Sequence, residues 1–145
     1  MSQTGLELLR DVIAGKAKPA PIQATLGFDL VEVSDGFAKY QLKTPGEHLY
    51  GSMNAVHSGV AATLIEAAMG AAVLTTLDAQ TGHSTAGLNL HLTRAITSRA
   101  GRLLVEGWVV HRGSRLVTAE ARLNDEQGRL LAHGSATYAL VERTL

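Results

Sequence analysis

The sequence is poor in several residue types, and each shortage argues against a class of protein. It has no cysteine among 145 residues, which excludes disulfides, thiolate nucleophiles and cysteine metal ligands. Its thirteen basic and thirteen acidic residues cancel, so no net charge points to nucleic acid or to an anionic membrane as a partner. The histidines show no metal-ligand spacing, and neither a metal site nor a cofactor is expected.

The remaining composition is that of a globular protein. Hydrophobic residues make up 46% of the chain and charged residues 18%, which is too apolar for a disordered protein. We expect a single domain spanning residues 1–145, long enough to bury a core. The first residues lack a basic start followed by an apolar run, so no secretory signal is expected and a cytoplasmic location is predicted.

An apolar run over residues 57–77 is the most distinctive stretch, and it predicts a long helix that is hydrophobic on nearly every face. Such a helix belongs in a core. Between His57 and Asp78 its only ionisable residue is Glu66, which also argues against a membrane span. A buried carboxylate is costly unless it is paired, hydrogen-bonded or protonated. Glu66 is therefore a structural ion-pair member or a functional group, and we favour the second because perturbed carboxylates concentrate at active sites.

The start of this helix is a second candidate site. The backbone N–H groups of Ser58 and Gly59 lie where a helix has no internal acceptor, and such an end can stabilise an oxyanion. At a rise of ~1.5 Å per residue, Glu66 lies roughly 12 Å from Ser58. That separation is too large for both to act on one carbonyl within one chain. We therefore expect the two groups to come from two chains whose helices pass antiparallel.

The rest of the chain predicts an α+β protein. Residues 6–13 have helical spacing and residues 21–26 open with a proline, which together predict a helical extension over residues 5–26. An Asp35-Gly36 pair predicts a hairpin between two strands. Four more strands follow from alternation and turn signals. The six predicted strands cover residues 28–33, 37–42, 84–93, 102–111, 116–124 and 130–141. A mostly antiparallel sheet wrapped around one long helix is the expected architecture.

Four segments carry a resemblance to a known family. They are the His57-Ser58-Gly59 helix start with an acid eight residues past Ser58, residues 84–95 (STAGLNLHLTRA), residues 101–115, and the turn and strand over residues 125–132. Between residues 27 and 141 the chain resembles the hotdog-fold acyl-CoA thioesterases. It is most similar to the phenylacetate-degradation and 4-hydroxybenzoyl-CoA thioesterase group.

The resemblance implies a six-stranded antiparallel sheet curled around the helix, a homodimer with a continuous sheet and active sites at the dimer interface, and commonly a tetramer of two dimers. It implies that Glu66 is the catalytic carboxylate, acting as general base or nucleophile. The backbone N–H of Ser58 would polarise the thioester carbonyl, and His57 would position the helix start and the thioester. Thr85 matches a hydroxyl that, in some members, orients the attacking water from the other subunit.

Three positions depart from the family pattern. Ser58 stands where the family has a glycine, and Gly51 stands where several members carry an amide side chain. Gly70, one turn after Glu66, replaces a Thr or Ser found in one branch. Asn54 is a candidate to supply the missing amide from a shifted position.

Coenzyme A requires cations for its phosphates, and a strand-end turn offers them. Arg112 and Arg115 flank Gly113 and Ser114, so the turn combines two guanidinium groups with a hydroxyl. The alternative interpretation is a solvated hairpin turn that binds nothing. Two Phe, three Tyr and one Trp are few for stacking an aryl group, so short or medium acyl chains are at least as plausible as aryl substrates.

These observations favour an enzyme that hydrolyses an acyl-CoA. Two alternatives remain open. One is a dehydratase or hydratase of the same fold, although that branch pairs Asp and His in a motif not found in this sequence. The other is a non-catalytic module that binds acyl-CoA, which the missing amide at Gly51 favours.

Overall fold

The computed structural model describes residues 2–144 and shows a six-stranded antiparallel sheet with one long helix packed against it, as predicted. The helices are α1 (Gly5–Ile13), α2 (Pro21–Leu26) and α3 (Ser58–Leu74), with short 3-10 turns at Glu47–Leu49 and Ser98–Ala100. The strands are β1 (Phe28–Ser34), β2 (Phe37–Leu42), β3 (Thr81–Leu92), β4 (Leu103–Arg112), β5 (Leu116–Asn124) and β6 (Leu130–Glu142).

The strand order is β1-β2-β4-β5-β6-β3, so β1 and β3 form the edges of the sheet. The predicted hairpin at Asp35-Gly36 is confirmed, because Ser34 pairs with Phe37 and Gly36 adopts a φ of 77°, a conformation that suits glycine. The third strand begins at Thr81, three residues before the predicted start. It is longer because β6 continues to Glu142, which pairs with Thr81.

The long helix α3 is buried against the sheet, as its apolar faces predict. It seats on β4 at Gly107, where a Cβ atom would lie 2.5 Å from the backbone carbon and oxygen of Ala68. The helix ends at Leu74 rather than at residue 77. The hydroxyls of Thr75 and Thr76 donate to the carbonyls of Ala72 and Val73, which offers the backbone an alternative to helix continuation.

The N-terminal extension packs against β1, and its first helix also contacts α3. Its first helix begins beside the end of α3, where the Gly5 N–H donates to the Leu77 carbonyl at 3.1 Å. Leu26, at the end of α2, lines a cavity with Val60 and Thr63 near the start of α3. The extension therefore runs antiparallel to α3. No helix within residues 2–144 is long and apolar enough to cross a membrane.

Candidate active site

Glu66 lies in the middle of α3, half-buried, and two hydroxyl groups hold its carboxylate. Thr85 of β3 donates to Oε1 at 2.8 Å. The Tyr138 hydroxyl of β6 points at the same oxygen at 3.3 Å and at the Glu66 carbonyl oxygen at 3.1 Å. No donor among residues 2–144 bonds to Oε2. The carboxylate is therefore fixed through one oxygen, and the other is free to accept a bond from a ligand or a water.

Gly70 faces this arrangement one turn further along α3. A Cβ atom at position 70 would lie 3.4 Å from Cε1 of His83, 3.6 Å from the Tyr138 hydroxyl and 3.7 Å from Oε1 of Glu66. The His83 ring packs edge-on against the Tyr138 ring, with centroids 4.9 Å apart. Its Nδ1 atom is buried without a hydrogen-bond partner among residues 2–144. A Cβ atom at position 70 would therefore be in ordinary van der Waals contact with His83, Tyr138 and Glu66.

Burial is the main cause of the pKa shifts of the side chains around Glu66. Burial lowers the pKa of the His83 imidazole, although the Glu66 carboxylate and the Gly70 carbonyl act in the opposite direction. Burial, followed by the Glu66 charge, raises the pKa of Tyr40 to about 12. The same two causes raise the pKa of Tyr138 further above its ordinary value. The two phenols consequently stay protonated at neutral pH, and Tyr138 remains a donor to Glu66.

At the start of α3, His57 is the N-cap residue. Its Nδ1 atom accepts the Gly59 N–H at 2.8 Å, so the imidazole caps the helix. Of the two predicted oxyanion donors, the Gly59 N–H thus donates to His57 in this structure. The Ser58 N–H bonds to no acceptor in the described part of the chain and remains the candidate donor.

The loop before α3 contains Gly51 and Asn54. It is closed by a bond from the Gly51 N–H to the Ala55 carbonyl at 2.7 Å, and Asn54 is exposed with a φ of 56°. A Cβ atom at position 51 would point at His57, 3.6 Å from its Cδ2 atom. Position 51 thus faces the helix start, whereas no contact recorded within the chain brings Asn54 to Glu66.

The turn from Arg112 to Arg115 joins β4 to β5, and both arginines are exposed. The Gly113 N–H bonds to the Leu116 carbonyl at 2.8 Å, which holds the turn in shape. Arg112 and Ser114 line a shallow cavity with Gln80 and Thr81. A line of paired residues crosses the sheet from this turn to Thr85. Arg112 of β4 pairs with Val117 of β5, which pairs with Tyr138 of β6, and Tyr138 pairs with Thr85 of β3. Three strand spacings of about 4.8 Å put the turn roughly 14 Å from Thr85.

Glu66 also lines a cavity of about 340 Å³ that lies between α1, α2 and α3. Its other polar lining groups include Tyr40, His83 and Gln23, and the remaining walls are mostly apolar. A concave apolar site with a few convergent polar groups is typical of small-molecule binding. The carboxylate of Glu66 and this cavity together form the candidate active site.

A family model matches residues 53–132, which is more than half of the chain and includes α3 and β3. The chain belongs to the thioesterase superfamily. Its fold is the hotdog fold of that superfamily, as the resemblance implied. No curated protein matches the sequence significantly.

Solved structures of this superfamily are similar to the chain over most of its length. The E. coli PaaI protein from the phenylacetic acid degradation operon is 14% identical, with a TM-score of 0.81 over 94% of this chain and 95% of that chain. A phenylacetic acid degradation-related protein from Ralstonia eutropha JMP134 is 22% identical, with a TM-score of 0.80 over 91% and 98%. Thioesterase HI1161 from Haemophilus influenzae is 13% identical, with a TM-score of 0.81 over 98% and 96%. At these levels of sequence identity, the similarity to the solved structures shows the fold alone.

In this thioesterase-superfamily chain, the structure brings two of the predicted site residues together, Glu66 and Thr85. They meet within one chain, whereas the resemblance placed the hydroxyl of some members on the other subunit. His57 and Ser58 lie in a separate region of the same chain, lining or bordering another cavity. Sequence reasoning missed Tyr138, His83 and Tyr40. His83 alone had a local signal, because it precedes Thr85 by two residues on the same strand.

Proposed function

We propose that this protein hydrolyses an acyl-CoA to the free acid and coenzyme A. The observation that carries the proposal is the Glu66 carboxylate, held by Thr85 and Tyr138 at the wall of an apolar cavity within the thioesterase fold. Thioester hydrolysis requires an activated nucleophile and polarisation of the carbonyl. Glu66 supplies the first, and the Ser58 N–H at a helix start supplies the second.

In the proposed reaction Glu66 acts as general base or as nucleophile. As a base, Glu66 accepts a proton from water through its unoccupied oxygen while the water oxygen attacks the thioester carbon. The Ser58 N–H stabilises the oxyanion, the carbon–sulfur bond breaks, and the thiolate leaves and takes up a proton. As a nucleophile, the carboxylate attacks the thioester carbon and expels the thiolate to form a mixed anhydride. Water then hydrolyses the anhydride, which releases the acid and regenerates the Glu66 carboxylate. His57 caps the helix and keeps the Ser58 N–H oriented.

The proposed active unit is a homodimer that joins through β3. Glu66 and Ser58 are eight residues apart on one helix, about 12 Å, so they cannot meet on one carbonyl within a chain. The edge strand β3 is twelve residues long, and residues 84–89 are exposed on both faces. A long unpaired edge of this kind is a template for another strand. Pairing of two β3 strands would bring two α3 helices together and complete each site with the partner's helix start. A dimer of dimers is the larger assembly that we propose by family resemblance.

Coenzyme A recognition is assigned in this proposal to Arg112, Gly113, Ser114 and Arg115. Their turn lies at the exposed sheet end, on the cross-strand line that leads to Thr85. Asn54 is retained as a candidate contact from the exposed loop. A cytoplasmic location also stays a prediction, consistent with a chain that has no cysteine.

The experiment is an assay of released thiol against short, medium, long and aryl acyl-CoAs, with Glu66→Gln in parallel. We expect the variant to lose at least ~100-fold in kcat, the scale of a positioned acid or base, while its fold is retained. Gln preserves the size of the side chain and the acceptor oxygen for Thr85. Turnover at the wild-type rate would remove Glu66 from the mechanism. Binding of acyl-CoA without turnover in the wild type would favour the non-catalytic module, which the lack of a side chain at Gly51 supports.

A further inference from the structure

We propose that the cavity between α1, α2 and α3 binds an unbranched aliphatic acyl chain, and that Leu8 of α1 limits the length of that chain. This inference rests on the proposed function and specifies its substrate class. It is carried by three observations: the chemistry of the walls, their length along α3, and a second cavity behind Leu8.

The walls of the cavity are suited to an alkyl chain. Tyr40 and His83 both lie close enough to Glu66 to be affected by its charge, so these three polar groups gather at one part of the lining. The aliphatic side chains that line the remainder are Leu8, Leu9, Val12, Ile22 and Leu74, with Ala20, Ala67 and Ala71 as small wall positions. The aromatic lining residues Phe28 and Tyr40 pack edge-on against each other, with centroids 5.4 Å apart. Apart from the groups around Glu66, the lining is therefore aliphatic or aromatic except for Lys18 and Gln23, which come from the N-terminal extension.

The length of the compartment follows from α3. Glu66, Gly70 and Leu74 all line the cavity at four-residue intervals, so they lie on one face of the helix. Eight residues at ~1.5 Å span about 12 Å. An extended chain of single bonds advances about 1.2 Å per bond, since three backbone bonds span roughly 3.5 Å. The cavity thus matches an extended chain of roughly eight to ten carbons.

Leu8 separates this cavity from a second one of about 560 Å³. The two cavities share three lining residues, Leu8, Leu74 and His83, which therefore form the wall between them. The second cavity is more polar, with Gln3, Gln80 and Arg143 in its lining. Leu74 belongs to the buried helix and His83 to the sheet, whereas Leu8 lies on the covering helix α1. Leu8 is consequently the wall residue whose size can change with least effect on the core.

The test is a chain-length profile of kcat/KM, from acetyl-CoA to palmitoyl-CoA with phenylacetyl-CoA included, for the wild type and two Leu8 variants. We expect a wild-type maximum at roughly eight to ten carbons. Leu8→Ala opens the wall and should move the maximum to longer chains. Leu8→Trp fills the end of the cavity and should move it to shorter chains, with a loss of about fourfold for each methylene that is no longer buried. The shift is read within each variant as the ratio of kcat/KM for the longer esters to that for butyryl-CoA, whose chain ends before Leu8.

Leu6→Ala and Leu6→Trp are the matched controls, because Leu6 lies on the same helix and lines neither cavity. They should leave the chain-length maximum unchanged, and thermal unfolding of all four variants reports any general loss of stability. A maximum on phenylacetyl-CoA, or a profile that stays fixed in both Leu8 variants, would overturn the inference while leaving hydrolysis intact. If no ester is hydrolysed, the proposed function fails, and calorimetric titration of decanoyl-CoA and acetyl-CoA still tests the cavity. Tighter binding of decanoyl-CoA that weakens in Leu8→Trp would support the aliphatic site, and equal affinities would contradict it.

Discussion

The residues that contact the Glu66 carboxylate are distant from it in sequence. Thr85 and Tyr138 donate to it from two strands, and Gly70 faces His83 and Tyr138 beside it. Gly70 is one of the departures from the family pattern. In this chain the Tyr138 hydroxyl lies 3.3 Å from the carboxylate.

A prediction at the same scale concerns Arg115, which is exposed in the β4–β5 turn. Arg115→Ala should raise KM for an acyl-CoA by roughly two- to fivefold, the effect of losing one exposed ion pair. It should leave KM for the N-acetylcysteamine ester of the same acid unchanged, because that ester has no phosphates. Steady-state kinetics at low salt checks this, since salt screens an exposed contact. Equal effects on both esters would count against phosphate binding by Arg115.

A second residue-scale prediction concerns pH and His83. Its pKa is lowered in the folded protein, chiefly by burial, so the unfolded chain binds the proton more readily. The stability associated with neutral His83 is complete above the unfolded value of about 6.5 and is lost as the pH falls through the lowered folded-state value. Urea unfolding from about pH 7.5 downward should therefore show a larger loss of stability in the wild type than in His83→Gln. If the free energy of unfolding falls equally with pH in the two proteins, the pH dependence does not come from His83.

Among the elements, the contact between α3 and β4 positions the site. The backbone of Ala68 rests on Gly107, and Ala68 follows Glu66 by two residues. The close approach of helix and strand therefore sets the depth at which the carboxylate meets β3 and β6. The N-terminal extension completes the site from the opposite side, because α1 and α2 provide the cavity walls that the sheet does not.

The element-scale prediction is a substitution at this contact. Gly107→Ala introduces a Cβ atom 2.5 Å from the Ala68 backbone, so the helix must move away from the sheet. We expect a loss of about 1–3 kcal/mol in the free energy of unfolding, the usual cost of overpacking. Gly51→Ala is the control, because its Cβ would meet nothing closer than 3.6 Å, and it should change stability by less than about 0.5 kcal/mol. Denaturant unfolding measures the free energy of unfolding of both variants. Equal values would show that the helix and the strand can move apart at Gly107 without loss of stability.

For the whole molecule, the exposed edge of β3 is the feature that a second subunit would cover. Leu88 on this strand is 44% exposed, and Ile13 on α1 is 41% exposed. Ile13 is therefore a matched control position for a substitution at Leu88. Leu88→Lys should convert the proposed dimer to a monomer, because lysine on an edge strand opposes strand pairing and appears twice in a symmetric interface. Turnover should fall with the dimer, since each site lacks its helix-start donor in a monomer.

Ile13→Lys should change neither the mass of the oligomer in solution nor the rate of turnover. Light scattering after gel filtration measures the mass, and circular dichroism checks that both variants fold. A fully active Leu88→Lys monomer would show that one chain contains a complete site, and a dimer that persists would place the subunit contact elsewhere.

The sequence by itself determined the order and type of the elements and pointed to Glu66. Hydrophobic periodicity and the Asp35-Gly36 turn are local signals, and they predicted α3 and all six strands with differences of a few residues at their ends. Glu66 was identifiable because it is a lone charge in an apolar helix. Those properties depend on neighbouring residues along the chain and on the cost of burying charge, which a sequence records directly.

Only the tertiary structure decided which groups surround Glu66. Tyr138 lies 72 residues away, and it reaches the carboxylate because β6 lies between β5 and β3 in the sheet. The cavity under α1 and α2 and the wall at Leu8 are likewise outcomes of packing. Strand pairing and helix seating depend on contacts between distant segments, and the local pattern of residues does not specify which side chains those contacts bring together.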